Sequence, residues 1–321
     1  MITTDINKAK KELESDEIIA IPTETVYGLA GNAYSENALK KIFDLKNRPL
    51  YNPLIVHIKS ADFLPNVARE IPDLAFKLAK DFWPGPLTLV LKKQHHIPDL
   101  ATSGKDTVAI RVPNHPLTLK LLEQLEFPLA APSANPFGSI SPTTASHVFN
   151  YFEETLKVIL DGGDCQSGIE STIVGFENEQ PIVYRLGSLS VEQIEEKIGP
   201  VIHKTQSNDN APIAPGMLSR HYAPKTDTVL TTDVEALVKS YPDKKIGLLL
   251  FQNEKSLVPI EQQEILSKSG ELKEAAKNLY AAMHRLDKLN LDLIIAERLP
   301  DVGLGKTIND KLQRATKRLD Q

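Results

Sequence analysis

The sequence predicts an α/β fold: a mixed sheet with helices over residues 1–200, a linker over residues 201–226, and a small open α/β unit over residues 227–321. Three observations carry that reading. Short apolar and β-branched runs interleave with amphipathic helical patterns, but not in strict strand–helix alternation, which points to a mixed rather than a purely parallel sheet. From Pro200 to Thr226 the pattern breaks into repeated prolines and a polar run, Lys204 to Asn210. The composition, 41% hydrophobic and 25% charged in 321 residues, is that of a chain with a buried core.

Residues 1–17 read as a charged helix without the apolar core of a secretory leader. Ile18 to Ile21 is a short apolar run stopped by Pro22, a buried strand. Thr23, Glu24 and Thr25 then set two hydroxyls and a carboxylate at the strand's end, where ligands of α/β sheets tend to sit. A second strand leads to Ser35, which can cap a helix whose Ala38, Leu39, Ile42, Phe43 and Leu45 recur at helical spacing. That helix ends in Lys46-Asn47-Arg48-Pro49, with cations where the dipole favours them and a proline that turns the chain away. The two cations read either as an ordinary helix end or as an anion site facing the hydroxyls. Leu54 to Ile58 returns as a strand carrying His57.

Ser60 can cap a short helix, and Pro72 to Phe82 reads as another, ended by Trp83-Pro84-Gly85-Pro86. Thr88 to Leu91 and Thr107 to Val112 are β-branched strands. Arg111 alternates with Ile110 and Val112, so on a strand built for burial it needs a partner, either a ligand anion or an internal carboxylate. His115 to Leu125 is helical, and Leu129 to Ala131 is a strand that delivers Ser133 much as the first strand delivers Thr23 and Thr25. The run LAAPSANPFGSISPTTASH is otherwise an irregular loop. A strand follows at Lys157 to Leu160, the run Gly168 to Val174 enters the next strand through its glycine, and Pro181 to Leu186 is a strand with Arg185 near its end. Ser190 to Ile198 is a short helix with Val191, Ile194 and Ile198 on one face.

A pure spacer rarely holds Met217, His221 and Tyr222 together, so the linker is expected to fold back on the first unit. The last unit reads as a strand (Val229, Leu230), a helix (Val234 to Tyr241) and a strand (Ile246 to Phe251). A strand near Glu264 to Leu266, a long helix (Glu271 to Leu289), a strand (Leu291 to Ala296) and a closing helix (Thr307 to Leu319) complete it.

Several chemistries are excluded. The one cysteine, Cys165, cannot form an intramolecular disulfide or a four-cysteine zinc site. The longest apolar block, Ile246 to Phe251, is far short of a membrane span, and the expected location is the cytoplasm. No GxSxG, HExxH or CxxC occurs. Gly303-Leu304-Gly305-Lys306-Thr307 looks like a phosphate loop, but Pro300 stands where GxxxxGK[ST] needs its first glycine. Residues 1–200 hold 19 Lys and Arg against 26 Asp and Glu, which argues against a dedicated nucleic-acid surface there. Within that acidic body Lys40, Lys41, Lys46, Arg48 and Lys59 gather with only Asp44 among them, a focused pocket for a small anion. A pocket of Arg, Lys, Ser and Thr without a general-base pair suits transfer at a phosphate, where binding and charge neutralisation dominate.

The strings PTETVYGLAGNA, KNRPLYNPLIVHI, APSAN with SGIESTIV, and PGMLSRHYAP resemble the threonylcarbamoyl-AMP synthase family, YrdC-like proteins, in its long two-domain form. The match runs from about residue 15 to 226, and the tail GLGKTINDKLQRA is similar to that family's C-terminal ending. The resemblance implies a YrdC-like twisted mixed sheet, a linker, and a small Rossmann-like C-terminal domain. It implies a nucleotidyltransferase that joins L-threonine, bicarbonate and ATP into threonylcarbamoyl-AMP and pyrophosphate, for threonylcarbamoyladenosine modification of tRNA by a separate transferase. By the same resemblance Lys46, Arg48 and Asn52 face the ATP phosphates, Lys46 and Arg48 as the catalytic pair, while Thr107, Ser133, Ser141 and Arg185 also contact the nucleotide. Thr25, His57, Arg111, Ala131 and Ser171 hold threonine, Arg111 by its carboxylate, and Tyr222 reaches the nucleotide from the linker acting as a lid. Mg²⁺ accompanies ATP without a dedicated ligand set. A non-enzymatic RNA-binding module with weak RNA affinity is a rival reading, and the carbamoyl-transfer domain of hydrogenase-maturation proteins is another, for which one cysteine supplies too little zinc ligation.

Overall fold

The computed structural model describes residues 1–205, 214–215 and 221–316. The chain opens with β1 (Ile2–Thr3), α1 (Ile6–Glu14), β2 (Ile19–Ile21), β3 (Gly28–Asn32) and α2 (Glu36–Lys46). It continues through β4 (Ile55–His57), α3 (Leu64–Val67), α4 (Asp73–Phe82), β5 (Leu87–Lys92) and α5 (Asp99–Thr102). Next come β6 (Thr107–Arg111), α6 (Pro116–Glu123), β7 (Leu129–Ala130), α7 (Ala145–Phe152) and β8 (Ile159–Leu160). β9 (Thr172–Glu177), β10 (Gln180–Arg185), α8 (Val191–Ile198) and β11 (Ile202–His203) complete one sheet, ordered β1-β8-β2-β3-β7-β4-β6-β5-β9-β10-β11. Its neighbours are mixed: β4 with β6 and β5 with β9 run parallel, while β5 with β6 and β9 with β10 run antiparallel.

The two faces of this sheet are treated differently. Alternation along β4 and β6 sends Val56, Val108 and Ile110 into the main core, against Leu39 and Ile42 of α2, Leu78 of α4 and Ile194 of α8. The opposite face is covered at one end only, where Ala9 and Leu13 of α1 and Leu121 and Leu122 of α6 pack on Ile19, Ile21 and Leu129. Beyond that cover, Ile55, His57 and Arg111 face a cleft, and Ala214 of the linker closes over Ile55, Ala109 and Ile182.

The second sheet comprises β12 (Thr228–Thr231), β13 (Ile246–Leu250), β14 (Gln263–Ile265) and β15 (Leu293–Glu297), ordered β12-β15-β13-β14 and wholly parallel. Its helices are α9 (Val234–Lys239), α10 (Leu272–Asp287) and α11 (Leu304–Ala315). Val26, Ile140, Ile169 and Tyr222 join Leu279, Met283, Leu286, Ile308 and Leu312 in one apolar cluster, so α10 and α11 dock the second unit on the first. Each such fully buried side chain contributes about 1.5–3 kcal/mol. The approach is close at Gly168, where a β-carbon would fall 2.1 Å from the Lys277 carbonyl oxygen of α10 and φ is +70°.

Local corrections have local reasons. Residues 1–17 are not one helix: Ile2 and Thr3 pair with Ile159 and Leu160 of β8, and α1 starts only after Asp5, whose carboxylate accepts from the Asn7 and Lys8 amides. Ser35 caps α2 as expected, accepting from the Ala38 amide, but Ser60 makes no side-chain cap to the 3₁₀ turn that follows it. The loop after Ser133 contains the start of an unexpected helix, α7, capped by Thr144. Its β-branched, aromatic and amide residues have modest helix propensity, and packing of Val148 and Phe152 in the main core outweighs it. The glycine-lysine run resembling a phosphate loop opens α11 and docks instead: Thr307 Oγ1 donates to the Gly187 carbonyl, and Lys306 pairs with Glu192 of α8. The expected polar run Lys204–Asn210 and the Gly216–Arg220 segment fall largely outside the described residues, as does the end of the closing helix after Thr316.

Candidate active site

The cleft on the open sheet face is open to solvent and spans about 550 Å³ with the solvent at its mouth included. It brings together residues widely separated in sequence. Thr25, His57, Arg111, Ala131 and Ser171, the five assigned to threonine, all line it, as do Arg48, Ser133, Arg185 and Tyr222 from the nucleotide set. Each position has a local cause. Pro22 ends β2, and the turn after it is closed by Thr23, whose hydroxyl donates to the Val26 carbonyl at 2.6 Å and lies 2.8 Å from that of Thr25. Asn47, in the left-handed region with φ of 51°, ends α2 and redirects Arg48. Opposite register of His57 and Arg111 on parallel β4 and β6 places those two side by side on the cleft face.

Three guanidiniums define the electrostatics. Arg48 donates to the carbonyls of Asn52 (3.0 Å) and Pro53 (2.7 Å), and burial, then the charge of Arg185, lowers it to about 9. Arg185 donates to the Ser171 carbonyl through Nε and Nη2, to Ser171 Oγ, and to the Pro215 carbonyl at 3.1 Å. Arg111 pairs with Glu24, Nη2 to Oε2 at 2.7 Å, and donates to the Gly85 carbonyl. Of the two partners the sequence left open for Arg111, the internal carboxylate is present, behind the cleft wall. His57 is held neutral, its pKa lowered to about 3 by burial first and by Arg111 second. Among the described residues Glu170 is the one carboxylate on the cleft surface.

Buried polar atoms without partners cluster here. They include both side-chain atoms of Asn52, Nδ1 of His57, Nδ1 of His221 and Oε1 of Glu24. Natural interiors leave few such groups unpaired, so their concentration marks a place where ligand or water supplies the missing bonds.

Four expected contact residues do not line the cleft. Lys46 is 1% exposed and lies beneath it: Nζ donates to the Ser133 carbonyl at 2.6 Å and to that of Asn135, because the last turn of α2 points under the Ser133 loop. Burial and Arg48 hold its ammonium well below the usual lysine range. Asn52 is fully buried behind Arg48. Ser141 Oγ donates to Glu170 Oε1 at 2.6 Å and so stands one residue behind the wall. Thr107 pairs with Lys92 at the far end of β6, four residues or roughly 13 Å along the strand from Arg111. Conversely, Glu170 and His221 line the cleft without having been assigned to it. Their one sequence signal was a charged or titratable side chain inside an otherwise apolar or proline-flanked run.

A YrdC-type α/β protein with an arginine-rich cleft is the class this fold and site define. The family model described as telomere recombination, for Sua5, YciO and YrdC proteins, matches residues 11–187, and that of the threonylcarbamoyl-AMP synthase C-terminal domain matches residues 189–316. The chain is 41% identical over 318 residues to threonylcarbamoyl-AMP synthase of Pyrococcus abyssi, covering 95% of this chain and 92% of that one. It is 38% identical over 319 residues to the Bacillus subtilis threonylcarbamoyl-AMP synthase, covering 97% and 92%. The crystal structure of P. abyssi Sua5 complexed with L-threonine superposes with a TM-score of 0.91 at 40% identity, covering 97% of this chain and 94% of that one. This chain belongs to the threonylcarbamoyl-AMP synthase family, in its long two-domain form. No helix among the described residues is long and apolar enough to cross a membrane.

Proposed function

We propose that this chain is a nucleotidyltransferase that makes threonylcarbamoyl-AMP and pyrophosphate from L-threonine, bicarbonate and ATP. The observation that carries the reading is the convergence of Arg48, Arg111 and Arg185 with Thr25, His57 and Ser171 in one cleft of a chain of this family. Arg111, already oriented by Glu24, takes the threonine carboxylate, and neutral His57 and Thr25 offer hydrogen bonds to its polar groups. The free amine captures the carbon of bicarbonate, the C–OH bond breaks, and the hydroxide leaves as water with one amine proton, giving an N-carboxylate. One oxygen of that carboxylate attacks the α-phosphorus, the bond to the bridging oxygen breaks, and pyrophosphate departs with the electron pair. Arg48 and Arg185 neutralise the charge that builds on the phosphates. Lys46 serves from beneath, by holding the Ser133–Asn135 backbone in place.

Among the described residues no group of three or more His, Cys, Asp or Glu could hold a metal, and Glu170 is already engaged by Ser141 and Tyr280. In this reading Mg²⁺ enters with the ATP phosphates, as part of that substrate. The product suits consumption by a separate tRNA-modifying transferase in the cytoplasm. Pyrophosphate release, measured with threonine and bicarbonate omitted in turn, tests the reading. Loss of release in both omissions supports it, and release that persists without either marks a plain ATPase.

A further inference from the structure

The cleft carries one carboxylate on a wall shared with three guanidiniums, and the second unit supplies its counter-charge. Lys311, on α11, is 1% exposed, and its Nζ lies 3.6 Å from Glu170 Oε2. The same ammonium donates to the Tyr222 hydroxyl at 3.2 Å and sits 4.6 Å from the centre of that ring. Tyr280 of α10, fully buried, donates to Glu170 Oε2 at 2.8 Å and stacks on Tyr222 at 5.6 Å between centroids. Glu170 and Tyr222 both line the cleft; Lys311 and Tyr280 do not. Two side chains from the second unit thus hold one wall residue of the first unit and one of the linker.

We propose that Lys311 is a positioning residue of the active site: it neutralises Glu170 and fixes Tyr222, so that the C-terminal domain completes a cleft able to accept a triphosphate. A bare carboxylate on that wall would repel the phosphates at close range in a poorly solvated site. The arrangement is also sensitive to alkali. Burial lowers Lys311 to about 8, against the raising effects of Glu170 and Asp310, with Arg185 and Arg314 lowering it further. Below that value the ammonium is charged, and above it Glu170 loses its counter-ion. This inference rests on the ATP-dependent reading above.

Calorimetric titration of the full chain with MgATP tests it, alongside KM and kcat for pyrophosphate release. Lys311→Met should weaken ATP binding about tenfold while threonine KM and kcat stay within about twofold. Adding Glu170→Gln should recover most of the loss, because no carboxylate then needs neutralising. Unchanged ATP affinity in the single variant, or no recovery in the double, would overturn the proposal. Should Lys311→Met not fold, the wild-type ATP KM should rise between pH 7 and 9 and that rise should vanish in Lys311→Arg. A rise that persists in Lys311→Arg overturns it equally. Failure of the wild type to bind MgATP at all would count against the synthase reading instead.

Discussion

Two buried asparagines separate the halves of this molecule. Asn309, in the second unit, is fully used: Nδ2 donates to the Leu299 carbonyl and Oδ1 accepts from the Leu299 amide, both at 2.9 Å. Asn52, beside the cleft, is buried just as deeply, and neither atom of its amide has a partner. The contrast extends beyond the pair. Among the described residues every buried side-chain polar atom without a partner lies between Glu24 and His221, and none lies in the second unit. The parallel sheet is closed on its own account, with β13 buried at every position. The mixed sheet leaves its polar accounts open on one face, which is what a binding site requires and a purely structural unit avoids.

The strongest break of that contrast is Arg185→Ala. It removes a guanidinium preorganised by Ser171 and Pro215, and turnover should fall about 10²–10³-fold, as for other lost charge-stabilising donors. Steady-state pyrophosphate release measures this, and near-normal turnover would take Arg185 out of the mechanism. Lys46→Ala should cost about 2–4 kcal/mol of transition-state stabilisation. Because it also strands the buried Ser133 and Asn135 carbonyls, denaturant midpoints should fall with activity. An activity loss at unchanged stability would restore Lys46 to direct contact.

The asparagines themselves give the sharper test. Asn309→Leu strands two backbone groups and should lower stability by about 2–4 kcal/mol with turnover intact in the folded fraction. Asn52→Leu should leave the midpoint within about 0.5 kcal/mol while weakening ATP binding. Equal stability losses from the two would erase the distinction. The smallest effect is acid sensitivity near neutrality. Burial lowers His57 and His147 to about 3 and His284 to about 4, so below about 6.5 the unfolded chain takes up protons that the folded chain refuses. The stabilisation is complete above that pH and shrinks steadily as pH falls toward 4. Melting temperature against pH should slope accordingly, and His284→Gln should flatten part of the slope.

The elements were legible wherever local pattern and local packing agreed. Ser35 caps the helix expected of it, a helix forms over Val191–Ile198 as expected, and the alternation around Arg111 correctly set it apart from Ile110 and Val112. The family strings named most of the cleft, since nine of the expected residues do line it. Legibility failed where the partner is remote. β1 exists because β8 lies beside it, and α7 because the main core takes its apolar face. The direction of Lys46, beneath the loop and not into the cleft, depends on carbonyls 87 and 89 residues away.

Composition, periodicity and punctuation therefore determined an α/β chain in two units with its guanidiniums and hydroxyls near strand ends, because these properties are settled within a few residues of backbone. Only the tertiary structure decided which face of the sheet stays open, that Glu24 sits against Arg111, and that Lys311 answers Glu170 from the other unit. Burial and charge pairing are properties of neighbours in space, and no spacing along the chain encodes which distant side chain will supply the missing hydrogen bond.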